Sequence, residues 1–184
     1  KNDGGADPGW TELTIATLSN ILNPFGVKVA DIDSDGDLDV ITASQGDDTI
    51  AWHENDGAAN PNWTTTKLST SEDGASDISV QDFDGDGDLD IISISDNDDT
   101  VAFFENNGAA NPSFNKRDIT TSIDQGFRLF SGDLDNDGDI DLVSANGAGD
   151  KITWYESDQA SNNDTSVMAQ AGDDYTATSG TLTF

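Results

Sequence analysis

The chain contains no cysteine in 184 residues, which excludes a disulfide framework and all thiol chemistry. Histidine occurs once, at His53, and tyrosine twice, so a catalytic centre built on imidazole, phenol or basic groups has scarce material. Lysine and arginine number 7 against 37 acidic residues, giving a formal net charge of −30. Nucleic acid is excluded as a partner, because nothing would neutralise its phosphates. No apolar run approaches the length of a membrane span, and the first residues do not resemble a secretory leader, so membrane insertion is not expected. Such acidity is compatible with disorder, but the aliphatic runs and the 14 aromatic residues argue for a packed fold. Stability must then come from packing and from metal.

The acid is not evenly spread. Asp31, Asp33, Asp35, Asp37 and Asp39 alternate along a nine-residue stretch with Gly36 at its sixth position. The same pattern returns as Asp82, Asp84, Asp86, Asp88 and Asp90, and again as Asp133, Asp135, Asp137, Asp139 and Asp141. Five neighbouring carboxylates repel one another unless a cation or full solvation relieves them. Hard oxygen ligands at positions 1, 3 and 5, followed by a glycine that permits a sharp turn, are what Ca²⁺ selects. An EF-hand would need a bidentate Glu at position 12, where Thr42, Ser93 and Ser144 stand instead. We therefore expect about three Ca²⁺ ions, one per loop. They would return six charges and leave about −24, suited to salty, divalent-rich surroundings.

Successive loops are 51 residues apart, a period in the range of propeller blades. Trp52, Phe103 and Trp154 share one phase of it, as do Glu54, Glu105 and Glu156. Each loop opens into a β-branched, aliphatic segment such as Ile91-Ile92-Ser93-Ile94, apolar on both faces, which predicts sheets stacked between neighbours. The expected class is all-β: three four-stranded antiparallel blades over residues 1–157, forming an incomplete propeller. The segment Trp10 to Thr17 reads as an orphan strand left from a preceding unit. In the third unit the fourth strand looks decayed, with Thr165 where Trp63 and Phe114 stand. A polar linker is expected at 158–164 and a strand-rich segment at 165–184.

The three Asp-x-Asp-x-Asp-Gly-Asp-x-Asp loops, each leading into an aliphatic strand and then an aromatic-Glu strand, resemble the FG-GAP or VCBS repeats of extracellular β-propellers, including the calcium-binding blades of integrin alpha chains. The resemblance implies that side chains at loop positions 1, 3, 5 and 9 hold Ca²⁺ and that position 7 contributes its backbone carbonyl. It also implies a secreted or cell-surface location and a ring with more blades than three. Separately, residues 172–184 are similar to a piece of a Calx-beta domain.

Repeat-equivalent carboxylates such as Glu54, Glu105 and Glu156 see like surroundings, whereas a catalytic pair needs unlike ones, so no enzyme activity is expected. His53 aligns with Phe104 and Tyr155 and reads as a packing residue. Trp10, Trp52, Trp63, Phe103, Phe114 and Trp154 read as inter-blade core rather than as a sugar-stacking platform. The leading expectation is a calcium-binding structural or adhesive module, whose partners are other copies of itself or flanking blades joined through open strand edges. The alternative is a carbohydrate-binding accessory module of a secreted or cell-surface enzyme. A glycan or a surface protein is the ligand class in either case.

Overall fold

A computed structural model of the chain describes residues 9–17, 21–158 and, for the backbone alone, 175–177. The described residues contain no helix. The first sheet comprises β1 (Pro24–Ala30), β2 (Asp39–Ser44), β3 (Thr49–Asn55) and β4 (Trp63–Ser69) in sequential antiparallel order. The second repeats it with β5 (Ala75–Gln81), β6 (Asp90–Ser95), β7 (Thr100–Asn106) and β8 (Phe114–Thr120). The third has β9 (Gly126–Gly132), β10 (Asp141–Asn146), β11 (Lys151–Ser157) and β12 (Tyr175–Ala177), paired in the same order. The sheets form an unclosed arc of propeller-like blades.

Burial follows each strand's place in its blade. β2 and β6 are buried at every residue, while the outermost β4 and β8 alternate between exposed and half-buried residues and bury none fully. The core lies between blades. Ile41, Ile50 and Trp52 of the first meet Ile78, Ile91 and Phe104 of the second. Ile92, Val101 and Phe103 of the second meet Leu129, Leu142 and Tyr155 of the third. These two sets are the same repeat positions shifted by one period, so one interface has been used twice. Each fully buried side chain of this size contributes about 1.5–3 kcal/mol.

A second repeated device ties the blades together. Asp48, in the β2–β3 turn, has a left-handed backbone (φ 54°); its carbonyl accepts the N–H of Glu72 at 3.0 Å and its Oδ1 accepts that of Gly74 at 3.1 Å. Asp99 (φ 58°) does the same for Ile123 and Gln125, both at 3.0 Å. Each turn thus clasps the connector that leads into the following blade.

The structure corrects three expectations. Trp10 to Thr17 is not a strand: beyond an isolated bridge at Trp10 the segment is irregular, and Trp10 is 79 % exposed rather than part of a core. A strand needs a sheet edge to pair with, and among the described residues no strand precedes the segment to offer one. The third blade does have a fourth strand, and its register places Tyr175, not Thr165, opposite Ser157, as Trp63 lies opposite Asn55 and Phe114 opposite Asn106. β11 is therefore paired within the chain along Tyr155–Ser157, which leaves that stretch closed to strand addition. The linker from 159 onward and the Calx-beta-like segment, apart from Tyr175–Ala177, lie outside the described residues.

His53 is fully buried, with Nε2 3.0 Å from Thr42 Oγ1 and Nδ1 2.9 Å from Thr65 Oγ1, and burial holds its pKa below the ordinary histidine value. In the second blade Phe104 takes this position, and Ser93, equivalent to Thr42, is left with a buried hydroxyl lacking a partner.

Glu72 is another buried polar group. It sits at zero exposure where the neighbouring repeats have Ile21 and Ile123, and its Oε1 takes Lys116 Nζ at 2.8 Å and the Ser69 hydroxyl at 2.7 Å. Lys116→Met should destabilise the protein by about 3 kcal/mol, because it strands a buried carboxylate. The double variant Glu72→Ile with Lys116→Met should recover most of that loss in urea denaturation. Equal instability of both variants would refute this account of the pair.

Candidate metal centres

Each acidic loop is a chain of tight turns held by its own carboxylates. Asp31 accepts the N–H of Asp35 at 3.1 Å and that of Gly36 at 3.0 Å, one through each oxygen. Asp35 accepts the N–H of Asp37 at 2.9 Å. The second loop is a close variant, with Asp82 on Gly85 (position 4 rather than 5) and Gly87, and Asp86 on Asp88. The third has Asp133 on Asn136 and Asp137 on Asp139. The turn at position 6 requires φ near 100°, found at Gly36 (98°), Gly87 (100°) and Gly138 (106°), a conformation that a Cβ would strain.

These turns gather the acids. Oxygens of Asp31, Asp33 and Asp35 lie within 4.8 Å of one another, as do those of Asp82, Asp84 and Asp86, and those of Asp133, Asp135 and Asp141. Three carboxylates so close make an all-oxygen donor set suited to a hard divalent cation. Without one they oppose each other. Asp33 is pushed up chiefly by burial, with Asp35, Asp39 and Glu54 adding to it. Asp84 is pushed up chiefly by burial too, with Asp86, Asp82 and Glu105 adding.

The remaining site residues take other places. At position 9, Asp39, Asp90 and Asp141 are fully buried at the foot of each central strand. One oxygen of each accepts the N–H of loop position 2, from Ile32 (3.2 Å), Phe83 (3.0 Å) and Leu134 (3.0 Å). The other accepts the N–H at the end of the third strand, from Asn55 (2.9 Å), Asn106 (2.8 Å) and Ser157 (2.9 Å). Position 9 is thus a latch that fastens the loop to its own sheet, and Asp141 also stands in the third triad. Burial pushes the Asp90 carboxyl up to about 7.

At position 7 the side chains of Asp37 and Asp88 lie outside the triads, against Gly57 and Gly108, where a Cβ would overlap their carboxylates. Asp137 and Asp139 are likewise outside the third triad. Asp139 is pushed up chiefly by burial, then by Asp137, Asp141, Asp133 and Asp135.

The sequence reading noted the repeated glutamates without placing them at the loops, and it missed the asparagines that follow them. Glu54 and Glu105 add negative charge beside the first two triads. Asn55 and Asn106 donate Nδ2–H to the position 8 carbonyls of Leu38 and Leu89, each at 3.1 Å, and so hold the exits of the first two loops. The recurrence of Asn before a turn glycine, Asn55-Asp56-Gly57 and Asn106-Asn107-Gly108, is the signal that would have found them.

Asp90→Asn should cost about 1–3 kcal/mol even in excess chelator, because the amide would turn an N–H₂ towards a backbone N–H that now has an acceptor. Thermal unfolding of both proteins in EDTA checks this; equal midpoints would show that the latch holds no apo structure.

The profile of the FG-GAP-like repeat matches residues 31–93 and again 82–144, so the matched stretch runs from the first loop into β10 and covers more than half of the chain. No curated protein matches this sequence.

Proposed function

Because the chain belongs to the FG-GAP-like repeat family, we propose that it is a non-enzymatic, calcium-dependent structural module of an extracellular protein. The observation that carries the proposal is the triad of carboxylate oxygens formed three times, at the same place in three successive blades. Asp31, Asp33 and Asp35, with their counterparts in the second loop and Asp133, Asp135 and Asp141 in the third, would hold the ions. A bound cation there supplies the positive charge that lets each loop keep its fold. The extracellular setting is supported by the high acidity and by the millimolar calcium available there, and no helix among the described residues is long and apolar enough to cross a membrane.

With a dissociation constant of about 0.1 mM per site, 10 mM Ca²⁺ stabilises by roughly 2.7 kcal/mol per site. Chelation should lower the melting temperature sharply, and Mg²⁺, which gives up its water reluctantly, should restore it poorly. Asp82→Ala should remove one equivalent of bound Ca²⁺ by calorimetry. An unchanged melting curve in EDTA would refute the proposal.

Assembly is the second part of the reading. The positions that blades 1 and 2 bury against their following blades are open in blade 3: Ile152, equivalent to Ile50 and Val101, is 64 % exposed, and Leu134, equivalent to Ile32 and Phe83, is 46 % exposed. Asp150, equivalent to the clasping Asp48 and Asp99, keeps their left-handed backbone (φ 46°). At the other end, Val27 is 62 % exposed where Ile78 and Leu129 are buried, and Val29 lies open beside it, while the Phe25 ring is faced by the Arg128 guanidinium of blade 3 at 5.2 Å. Glu12–Ala16 borders this face next to Val40, Thr42 and His53. Both ends carry positions of the junction that the chain itself forms twice, so the occupant proposed for blade 3 is blade 1 of a second copy; Val40 and His53, equivalent to Ile91 and Phe104, are already buried in blade 1, so docking there rests on Val27 and requires Glu12–Ala16 to give way. Ile152→Asp should reduce sedimentation of the calcium-loaded protein to that of a single chain. Wild-type protein that already sediments as a single chain would rule this association out.

A further inference from the structure

We infer that Asn106 couples the metal loops of blades 1 and 2, so that an ion in either raises the affinity of the other, while the third loop binds outside this pair. The inference rests on the calcium reading above. Asn106 ends β7 and is 2 % exposed. Its Nδ2 donates twice: to Leu89 O, at position 8 of its own loop, and to Ile32 O, at position 2 of the preceding loop, both at 3.1 Å. An amide has two N–H groups, so neither bond competes with the other. Its Oδ1 accepts the N–H of Gly108 at 3.1 Å, which fixes the orientation of the amide, and its backbone N–H holds the Asp90 latch.

Ile32 is the hinge of the first loop. It stands between the triad members Asp31 and Asp33, and its N–H is held by Asp39 while its carbonyl is held by Asn106. The peptide group that carries Asp33 is therefore positioned from blade 2. Ordering of the second loop around an ion fixes Leu89 and Asp90, and through them Asn106; Asn106 then fixes Ile32. The linkage works equally in reverse, as binding free energies require.

The third repeat lacks this bridge. Its equivalent residue is Ser157, whose N–H keeps the latch on Asp141 at 2.9 Å but whose hydroxyl is buried without a hydrogen-bond partner. Serine has one short donor arm in place of two. Asn55, at the same position in blade 1, binds its own loop through Leu38 O. The chain thus contains a bridged pair of loops and, as an internal baseline, an unbridged pair.

The test uses full-length variants that each keep two working loops, titrated with CaCl₂ by calorimetry. Asp133→Ala leaves loops 1 and 2, and Asp31→Ala leaves loops 2 and 3. The first pair should show the second ion binding about 2- to 10-fold more favourably, relative to the first, than the other pair does, the range that one buried hydrogen bond spans. Adding Asn106→Ser, which installs the residue of the third repeat and keeps the backbone latch, should erase that difference. Equal coupling in both pairs overturns the inference without any change at Asn106, so it stays testable if the serine variant does not fold. Three measurable sites with equal coupling would sink this inference alone, whereas no calcium binding by any variant would sink the metal reading with it.

Discussion

The structure depends on holding carboxylates together at the point where each central strand begins. A loop of five acids is self-repelling, yet its position 9 residue is among the most buried groups in the protein. The latch on Asp39, Asp90 and Asp141 resolves that conflict with geometry: each spends both oxygens on backbone N–H groups, one from the loop and one from the neighbouring strand. Because the acceptor is a carboxylate, such bonds are stronger than neutral ones. The loop is thereby anchored before any cation is considered, and the acids at positions 1, 3 and 5 are left to converge.

Between blades the logic is apolar. The central strand of the second sheet carries aliphatic side chains on both faces because that sheet lies between the other two, and the same positions meet at both junctions. Identity of position does not mean identity of chemistry. The first junction contains the buried Glu72 paired with Lys116, whereas Ile123 fills that position at the second. Likewise Thr42 has His53, Ser144 has Tyr155 Oη at 3.4 Å, and Ser93 faces Phe104 with its hydroxyl unpaired. Blades that share a backbone have diverged where a polar group must find a partner.

The strands and loops were legible because their signals are local and occur three times. The Asp ladders, the glycine at position 6 and the aliphatic runs announced three antiparallel blades and the strand that follows each loop. What was not legible depended on partners distant in sequence. Trp10 to Thr17 has strand-like composition, but composition cannot say whether an edge is waiting for it. Tyr175 was hidden because counting by a fixed period stops at Thr165, while hydrogen bonding follows register and ignores the length of the intervening chain. Asn106 could be seen as a repeated asparagine, but its reach to Ile32, 74 residues away, exists only once the blades are side by side. At the site itself the spacing identified the acids, but not that position 7 turns towards a glycine of the adjacent turn while position 9 turns inward.

The clasps of Asp48 and Asp99 bear on what happens when the chain is pulled. Each binds the connector that leaves one blade and enters the next, so tension along the polypeptide falls first on two short hydrogen bonds at each junction and only then on the apolar core behind them. A load would therefore peel the arc blade by blade, with a separate yield point at each connector, instead of tearing a sheet apart along its strands. The two connectors would then act as fasteners in series.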